Sequence, residues 1–500
     1  MKELKAGFLT AEIDNGFIRY IQLNEAEVLQ MIYFAVRDGN WGTIPFRIEN
    51  FKEKIEESEF NISFDAIFTT NQPMYKARIT ILGNVNSTLY FNFEGEALET
   101  FERNRIGLCV HHPLKECVGN ECKIIHSDGS ISLGQFPQNV MPHQPFKNIS
   151  EIEWGDESGY HAHLKFEGDI FEMEDQRNWT DASFKTYSTP LDIPFPVRVN
   201  KGDKVVQQLT LHVSKVNNEG IKAATTIVKS NIIKPKVGLG LSTSTDKLTQ
   251  FQAKLLNKLN LNHIRIDVNL FRKDWKIQFH KSLEQIKLIP IKIELVIHVS
   301  QYWEIEIQNL ISENIDKEII DTIILFEFRK AGLSNDIISK ALPLLRNHFY
   351  GIKIGTGTDA NFAELNRSNI DPNPFDFLTF GINPQVHLFD DRSVLENAYA
   401  QKEAVQSALV LSKGKPIHIS AITLKPRFNA VAKDPNAIQI PLTDERQTTE
   451  FCAKWTAISL KSIREAGASS VTYFETVGLR GIMNENAYPV YEVFENYLSN

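Results

Sequence analysis

Only four of the 500 residues are cysteines, too few for the disulfide framework that staples small secreted domains. Long apolar runs are missing as well. Nowhere do about 18 consecutive apolar residues occur, the length a bilayer-crossing helix needs. The N-terminus, MKELKAGFLTAEIDNG, lacks the apolar stretch of a secretion signal. The chain is therefore expected to be cytoplasmic with no membrane partner, and the N-x-S/T sequons at Asn86, Asn148 and Asn178 mean nothing there. Basic excess is absent too: 54 Lys and Arg stand against 62 Asp and Glu, a formal net charge of −8. No basic stripe offsets this, which argues against a nucleic-acid partner. No G-x-S-x-G turn appears, which argues against a serine α/β-hydrolase mechanism. Small-molecule chemistry is what these absences leave, and nothing here fixes an oligomeric state.

Three of the cysteines, Cys109, Cys117 and Cys122, cluster near His111, His112 and His126. A zinc site is conceivable, but structural zinc usually shows tighter pairs such as C-x2-C, so reduced thiols in a loop are the plainer expectation. A Cys117–Cys122 disulfide is disfavoured in a reducing compartment.

Two rhythms divide what is present. Up to about residue 232 the apolar residues alternate in short runs such as FIRYIQL, YKARITILG and VVQQLTLHVSKV, separated by Gly, Asn and Asp turns. This predicts an antiparallel β-sandwich over 1–232, with a helix plausible only around Glu25 to Arg37. After Pro235, short apolar runs alternate with longer amphipathic stretches, the mark of βα units. Strands are expected at 237–242, 263–268, 291–299, 322–328, 350–357, 375–384, 416–422 and 469–476. Helices are expected at Asp246–Leu259, Lys273–Ile286, Trp303–Ile315, Asn335–Asn347, Ser393–Leu411 and Thr448–Ala466, with a weak one near Ala360–Leu365. Eight such repeats suit the ~250 residues of a (β/α)8 TIM barrel, here 233–500. The fold class expected is thus multidomain, β followed by α/β. The loop from Thr423 to Thr443 is long, as lids and binding walls often are.

Chemistry in a barrel sits at the C-terminal strand ends. There Arg265 and Asp267 lie two apart, Glu294 and His298 four apart, and Tyr473 and Glu475 two apart, each pair on one face of its strand by period-two spacing. Glu327 ends strand four, and strand six runs into Asn383, Gln385 and His387. The alternative is that the pairs face the helices as satisfied polar groups, or that Arg265 pairs with Asp267 as a structural bridge. Buried carboxyls tend to have raised pKa values, so Glu327 and Glu475 are the expected acid/base pair, with Arg265 polarising or anchoring the substrate. Asp267, Glu294, His298, Asn383, Gln385, His387 and Tyr473 are expected to line the pocket. No cofactor is expected, although Asp267, Glu294, His298 and His387 could hold a divalent metal if they converge. The stretch FEMEDQRNWTDASFKTY, from Phe171 to Tyr187, mixes charge and aromatics in a way that suits a sugar-like ligand or a wet seam, and places Arg177 and Trp179 among the candidate binding residues.

Across nearly its whole length the chain resembles the D-apionate lactonase family. The resemblance rests on IGLCVHHPLKECVGNEC, MPHQPFKNIS, FEMEDQRNWTDASFKTYSTPL, VGLGLS, INPQVHLFDD and YFETVGLRG. It implies an N-terminal β domain, a barrel and hydrolysis of an aldonolactone to its open acid, with a sugar lactone or other carbohydrate as the small-molecule partner. The chain departs from the longer members by ending after the last expected helix, without the C-terminal β domain they carry. Leu479 stands where the family run E-x-x-G-W-R-G has Trp. A sandwich joined to a barrel also resembles the retaining glycosidases of the large (β/α)8 clan, which expect Asn-Glu ending strand four and Glu ending strand seven. Here strand four reads Phe326-Glu327 and strand seven ends Ser420-Ala421-Ile422-Thr423, so a glycosidase would need Glu475 as nucleophile. A carbohydrate-binding protein whose barrel has lost its chemistry is the third expectation.

Overall fold

The computed structural model describes residues 2–156, 159–216, 234–313, 315–428 and 443–499. Contacts divide the chain into a unit of residues 1–176 and 183–227 and a second of residues 177–182 and 228–500. The boundary expected at 232/233 lies outside the described residues.

The first unit is antiparallel β apart from a single-turn helix at Leu114–Cys117, its 17 strands joined in one hydrogen-bonded network. Alternation explains most strands: Pro73–Asn84 and Lys204–Lys215 bury every second side chain along much of their length. The buried residues form one core, from Leu4 to Val213. At its centre the Phe34 ring meets Phe46 at 5.0 Å, Phe17 at 5.3 Å and Phe68 at 6.0 Å, distances at which aromatic edges and faces attract. The helix expected around Glu25 to Arg37 is instead a strand, Ala26–Asp38. It runs between Phe17–Leu23 and Phe101–Pro113 with antiparallel registers to both. Because most of it is buried on both faces, its sequence is nearly continuous in apolar residues and the period-two signal disappears.

The second unit is a closed barrel of eight parallel strands: β1 (Lys236–Gly240), β2 (His263–Asn269), β3 (Lys292–Val299), β4 (Ile320–Glu327), β5 (Lys353–Gly357), β6 (Leu378–Ile382), β7 (Ile417–Ile422) and β8 (Ser470–Phe474). Helices α1 (Gln250–Lys258), α2 (Trp275–Ile286), α3 (Trp303–Ser312), α4 (Leu342–His348), α5 (Phe362–Asn366), α6 (Asp391–Leu411), α7 (Glu450–Ala466) and α8 (Pro489–Ser499) follow the strands in turn. Cap residues set the boundaries. Thr249 and Gln252 form a reciprocal capping box, which starts α1 later than its polar lead-in suggests. Asp390 and Thr449 accept from backbone N–H groups at the starts of α6 and α7, and Gly467 ends α7 in the left-handed region at φ 92°. The stretch before α4 is a wide π turn, Ile337–Ala341. Pro343 follows it and has no N–H for a carbonyl four residues back.

The mixed stretch at 171–187 divides between the units. Phe171–Asp175 and Ser183–Tyr187 pair as an antiparallel hairpin of the first unit, with Tyr187 donating to Glu172 at 2.6 Å. Residues 177–182 between them belong to the second unit. Among the described residues no helix is long and apolar enough to cross a membrane. Phe34→Ala should lower the stability of the first unit by about 3–5 kcal/mol, the usual cost of emptying an aromatic core site. Chemical denaturation followed by tryptophan fluorescence should show the earlier midpoint.

Candidate active site at the barrel mouth

Alternation along β2 and β3 turns Arg265, Asp267, Glu294 and His298 inward, where they meet residues that β5, β7 and β8 deliver. Arg265 is 1% exposed. Its Nε and Nη2 donate to Asp267 at 2.9 and 2.7 Å, Nη2 also to Asp359 at 2.8 Å, and Nη1 to the Ser420 hydroxyl at 3.0 Å. Burial works against the charge on Arg265, but Asp267 and Asp359 outweigh it and raise its pKa. Burial would likewise raise the two carboxyls, yet the guanidiniums hold both low, Asp267 well below the usual range. Arg427, from the loop after β7, donates to Asp359 and reaches Asp267 at 3.5 Å.

Beneath this layer Glu294, also 1% exposed, accepts through Oε1 from Ser420 at 2.5 Å and from Thr472 at 3.0 Å. Among the described residues its Oε2 has no hydrogen-bond partner, and it lies 4.0 Å from His263 Nε2. Burial lowers the His263 pKa, so the ring is neutral and its Nε2–H donates to Thr472 at 2.7 Å. Above, His298 Nε2 lies 3.1 Å from Asp267 Oδ1. An ionised carboxylate can only accept, so the bond places a proton on Nε2, and in the neutral form of the ring Nδ1 is then the acceptor. Among the described residues His298 Nδ1 makes no hydrogen bond. Asp359 also lines a cleft of about 290 Å³ with Asn361, Asn383, Thr423 and Arg427.

The expected acid/base carboxylates have local partners of their own. Glu327 ion-pairs with Lys330 and accepts the Ser334 N–H at 2.8 Å. Although burial pushes its pKa up, those contacts win and hold it below the ordinary value, opposite to the rise expected of a buried acid. Glu475, fully buried, accepts from Thr243 N–H at 3.0 Å, Thr243 Oγ1 at 2.9 Å and Arg480 Nε at 2.9 Å. Tyr473 does not join it. Its hydroxyl meets Ser459 of α7 at 2.7 Å and its ring meets Phe494 of α8 at 5.3 Å. Thr472 is the inward residue, and the parity linking 473 to 475 lapses because β8 ends at Phe474.

Strand six's polar run spreads out. Asn383 donates to Asn361 at 2.9 Å beside the cleft. Gln385 ties Leu424 O at 2.6 Å and Asp444 at 2.7 Å, which makes it a brace between loops. His387 Nδ1 lies 2.5 Å from Asp181, which Asn397 also holds at 2.8 Å. Trp179 meets His387 edge-on at 5.2 Å and carries Arg367 over its face at 5.0 Å, while Arg177, fully buried, reaches Glu403 at 3.4 Å. Trp179 and His387 therefore form a second cluster, between the end of α5 and the loop after β6, while Arg177 is tied to α6.

Among the described residues one group could offer three ligands to a metal: Asp267, His298 and Asp359, with donor atoms within 4.8 Å of one another. It differs from the expected set, since Glu294 lies in the layer below and His387 pairs with Asp181. Arg265 and Arg427 already neutralise its two carboxylates, so the set fits a cation poorly. Cys109, Cys117, Cys122 and Cys452 are free thiols, and burial pushes Cys122 up to about 12. The residues not anticipated are Asp359, Ser420 and Arg427. Asp359 follows β5 by two positions and was open to the strand-end rule, whereas the loop residue Arg427 carries no such signal.

The depressed Asp267 pKa gives a signed expectation. A carboxyl held below its unfolded value, 3.8, stabilises the fold fully above that pH and loses its contribution as pH falls towards the folded value. The stability gap between the wild type and Asp267→Asn should therefore be widest above about pH 5 and shrink below about pH 4, read by urea unfolding across that range.

Two family models match the chain: "D-apionate lactonase, N-terminal domain" over residues 1–216 and "D-apionate lactonase, TIM barrel domain" over residues 237–499. The D-apionate lactonase of Brucella anthropi is 27% identical over 96% of this chain and 83% of its own length. Among solved structures, a family 39 glycoside hydrolase from Bacteroides cellulosilyticus WH2 aligns at 10% identity over 80% of both chains with a TM-score of 0.36. A galactose 1-epimerase from Lactobacillus acidophilus NCFM aligns at 7% identity over 42% of this chain and 92% of its own, with a TM-score of 0.31. Likenesses this slight carry no argument. With both models matching, the chain belongs to the D-apionate lactonase family.

Proposed function

We propose that this protein is a hydrolase that opens the lactone of a sugar acid, with His298 as general base. The observation that carries the mechanism is the Asp267–His298 pair: an ionised carboxylate 3.1 Å from Nε2, which fixes the ring so that its neutral form offers Nδ1 as the acceptor. In the first step Nδ1 takes a proton from water as its oxygen attacks the lactone carbonyl carbon. The carbonyl oxygen gains negative charge, and the Arg427 guanidinium, already positioned by Asp359 and Asp267, is the cation available to stabilise it. Collapse breaks the ring C–O bond, the departing alkoxide receives the proton from His298, and the acid product ionises. Asn361 and Asn383, both lining the cleft, are suited to sugar hydroxyls because each amide can donate and accept.

Arg265 and Asp359 act through others in this reading, by keeping Asp267 ionised and Arg427 in place. Glu327 and Glu475, the pair expected from strand position, act as loop-fixing groups. A glycosidase of the paired-carboxyl kind needs one carboxyl protonated near neutrality, and the surroundings of Glu327 favour the ionised form.

In a lactone-opening assay on D-apionolactone and related aldonolactones, His298→Ala should lower kcat/KM by about 10²–10⁴-fold. Glu327→Gln and Glu475→Gln should cost less than about tenfold beyond any loss of folded protein. Abolished turnover in either Gln variant, with His298→Ala still active, would return the chemistry to the two glutamates.

A further inference from the structure

A second cleft, of about 300 Å³, opens beside the first and shares Thr423 and Arg427 with it. Its other walls are Leu424, Lys425, Asp444, Gln447, Phe474 and Arg480. Three cations face it, and most of the charge around it is already matched. Arg480 pairs with Glu475 at 2.9 Å, and Arg427 pairs with Asp359 while lying 5.0 Å over the Phe474 ring. The acidic wall is matched too, since Asp444 is held by Arg446 at 2.8 Å and by Gln385 at 2.7 Å. Arg446 and Gln385 keep Asp444 ionised and low although burial alone would raise it. Lys425, half-buried, makes no ion pair among the described residues. Among the described residues one ammonium is thus left uncompensated in an open cleft that adjoins the reaction cleft at Thr423 and Arg427.

We infer that this second cleft is an anion subsite for the carboxylate of a sugar acid. A monoanion fits better than a phosphate dianion, because a single uncompensated positive charge faces the space and Asp444 and Glu475 stand behind it. Gln447 adds an amide for a neighbouring hydroxyl. The inference rests on the lactone-opening reading, in which a neutral lactone becomes a carboxylate next to Arg427. The new carboxylate can then turn from Arg427 towards Lys425, so the acid product is held and turnover is subject to product inhibition.

Calorimetric binding of D-apionate and D-gluconate, with sorbitol as the neutral control and inorganic phosphate as the competing anion, tests this without any turnover. At least one acid should bind about tenfold or more tightly than sorbitol, as expected of a charge-assisted contact. Added sodium chloride should weaken that binding. Lys425→Gln should lose about tenfold for the acid and leave sorbitol unchanged, with the melting temperature confirming an intact fold. Equal binding of acid and sorbitol, failure of both acids to bind, or unaltered acid affinity in Lys425→Gln would each overturn the subsite. Phosphate binding more tightly than either acid would overturn the choice of a carboxylate. A protein that opens no lactone yet passes this test would refute the proposed function alone, while one that opens lactones and fails it would refute the subsite alone.

Discussion

The barrel mouth depends on one buried guanidinium. Arg265 leaves water almost entirely, a step that costs several kcal/mol unless each donor is met. Here its donors reach Asp267, Asp359 and Ser420, from the ends of β2, β5 and β7. These contacts make it the hub of a polar layer across the barrel, and the geometry of each neighbour follows. Asp267 is ionised because Arg265 and Arg427 are there, His298 is oriented because Asp267 is ionised, and Arg427 is steered because Asp359 is shared. Removing the hub would leave two carboxylates facing each other with one cation fewer, the situation in which breaking a buried ion pair costs most.

Below that hub, Glu294, Thr472, His263 and Ser420 form a second polar layer. Ser420 joins the two, accepting from Arg265 and donating to Glu294. Stacked layers of inward side chains are normal for a (β/α)8 barrel, but they are usually aliphatic. Polar layers at the upper end require that nearly every group be satisfied, which fixes rotamers and gives a site little freedom to collapse. Among the described residues, Glu294 Oε2 and His298 Nδ1 are exceptions in these two layers.

Much of this could be read in the linear chain. Change of period from two to alternating βα units placed all eight barrel strands, and strand-end polarity brought forward Arg265, Asp267, Glu294 and His298, which do converge. Three readings failed for definite physical reasons. The strand Ala26–Asp38 is buried on both faces, so its sequence carries no alternation to separate it from a helix. Tyr473 shares parity with Glu475, but β8 stops between them, and beyond a strand's end parity says nothing about direction. The expected rise in the Glu327 pKa came from considering burial alone, whereas a nearby lysine and a backbone N–H reverse its sign.

Sequence by itself determined the two architectures, because period and punctuation are local properties that neighbouring residues carry. It also determined the family, through motifs long enough to be distinctive. Which of the polar strand-end residues act together was decided only by tertiary structure. Asp267 and Asp359 are separated by most of a hundred residues, and Arg427 comes from a loop with no periodic signal. Closing the barrel gathers the two carboxylates around Arg265 and Arg427, where their mutual fields, and not their identities alone, hold them ionised.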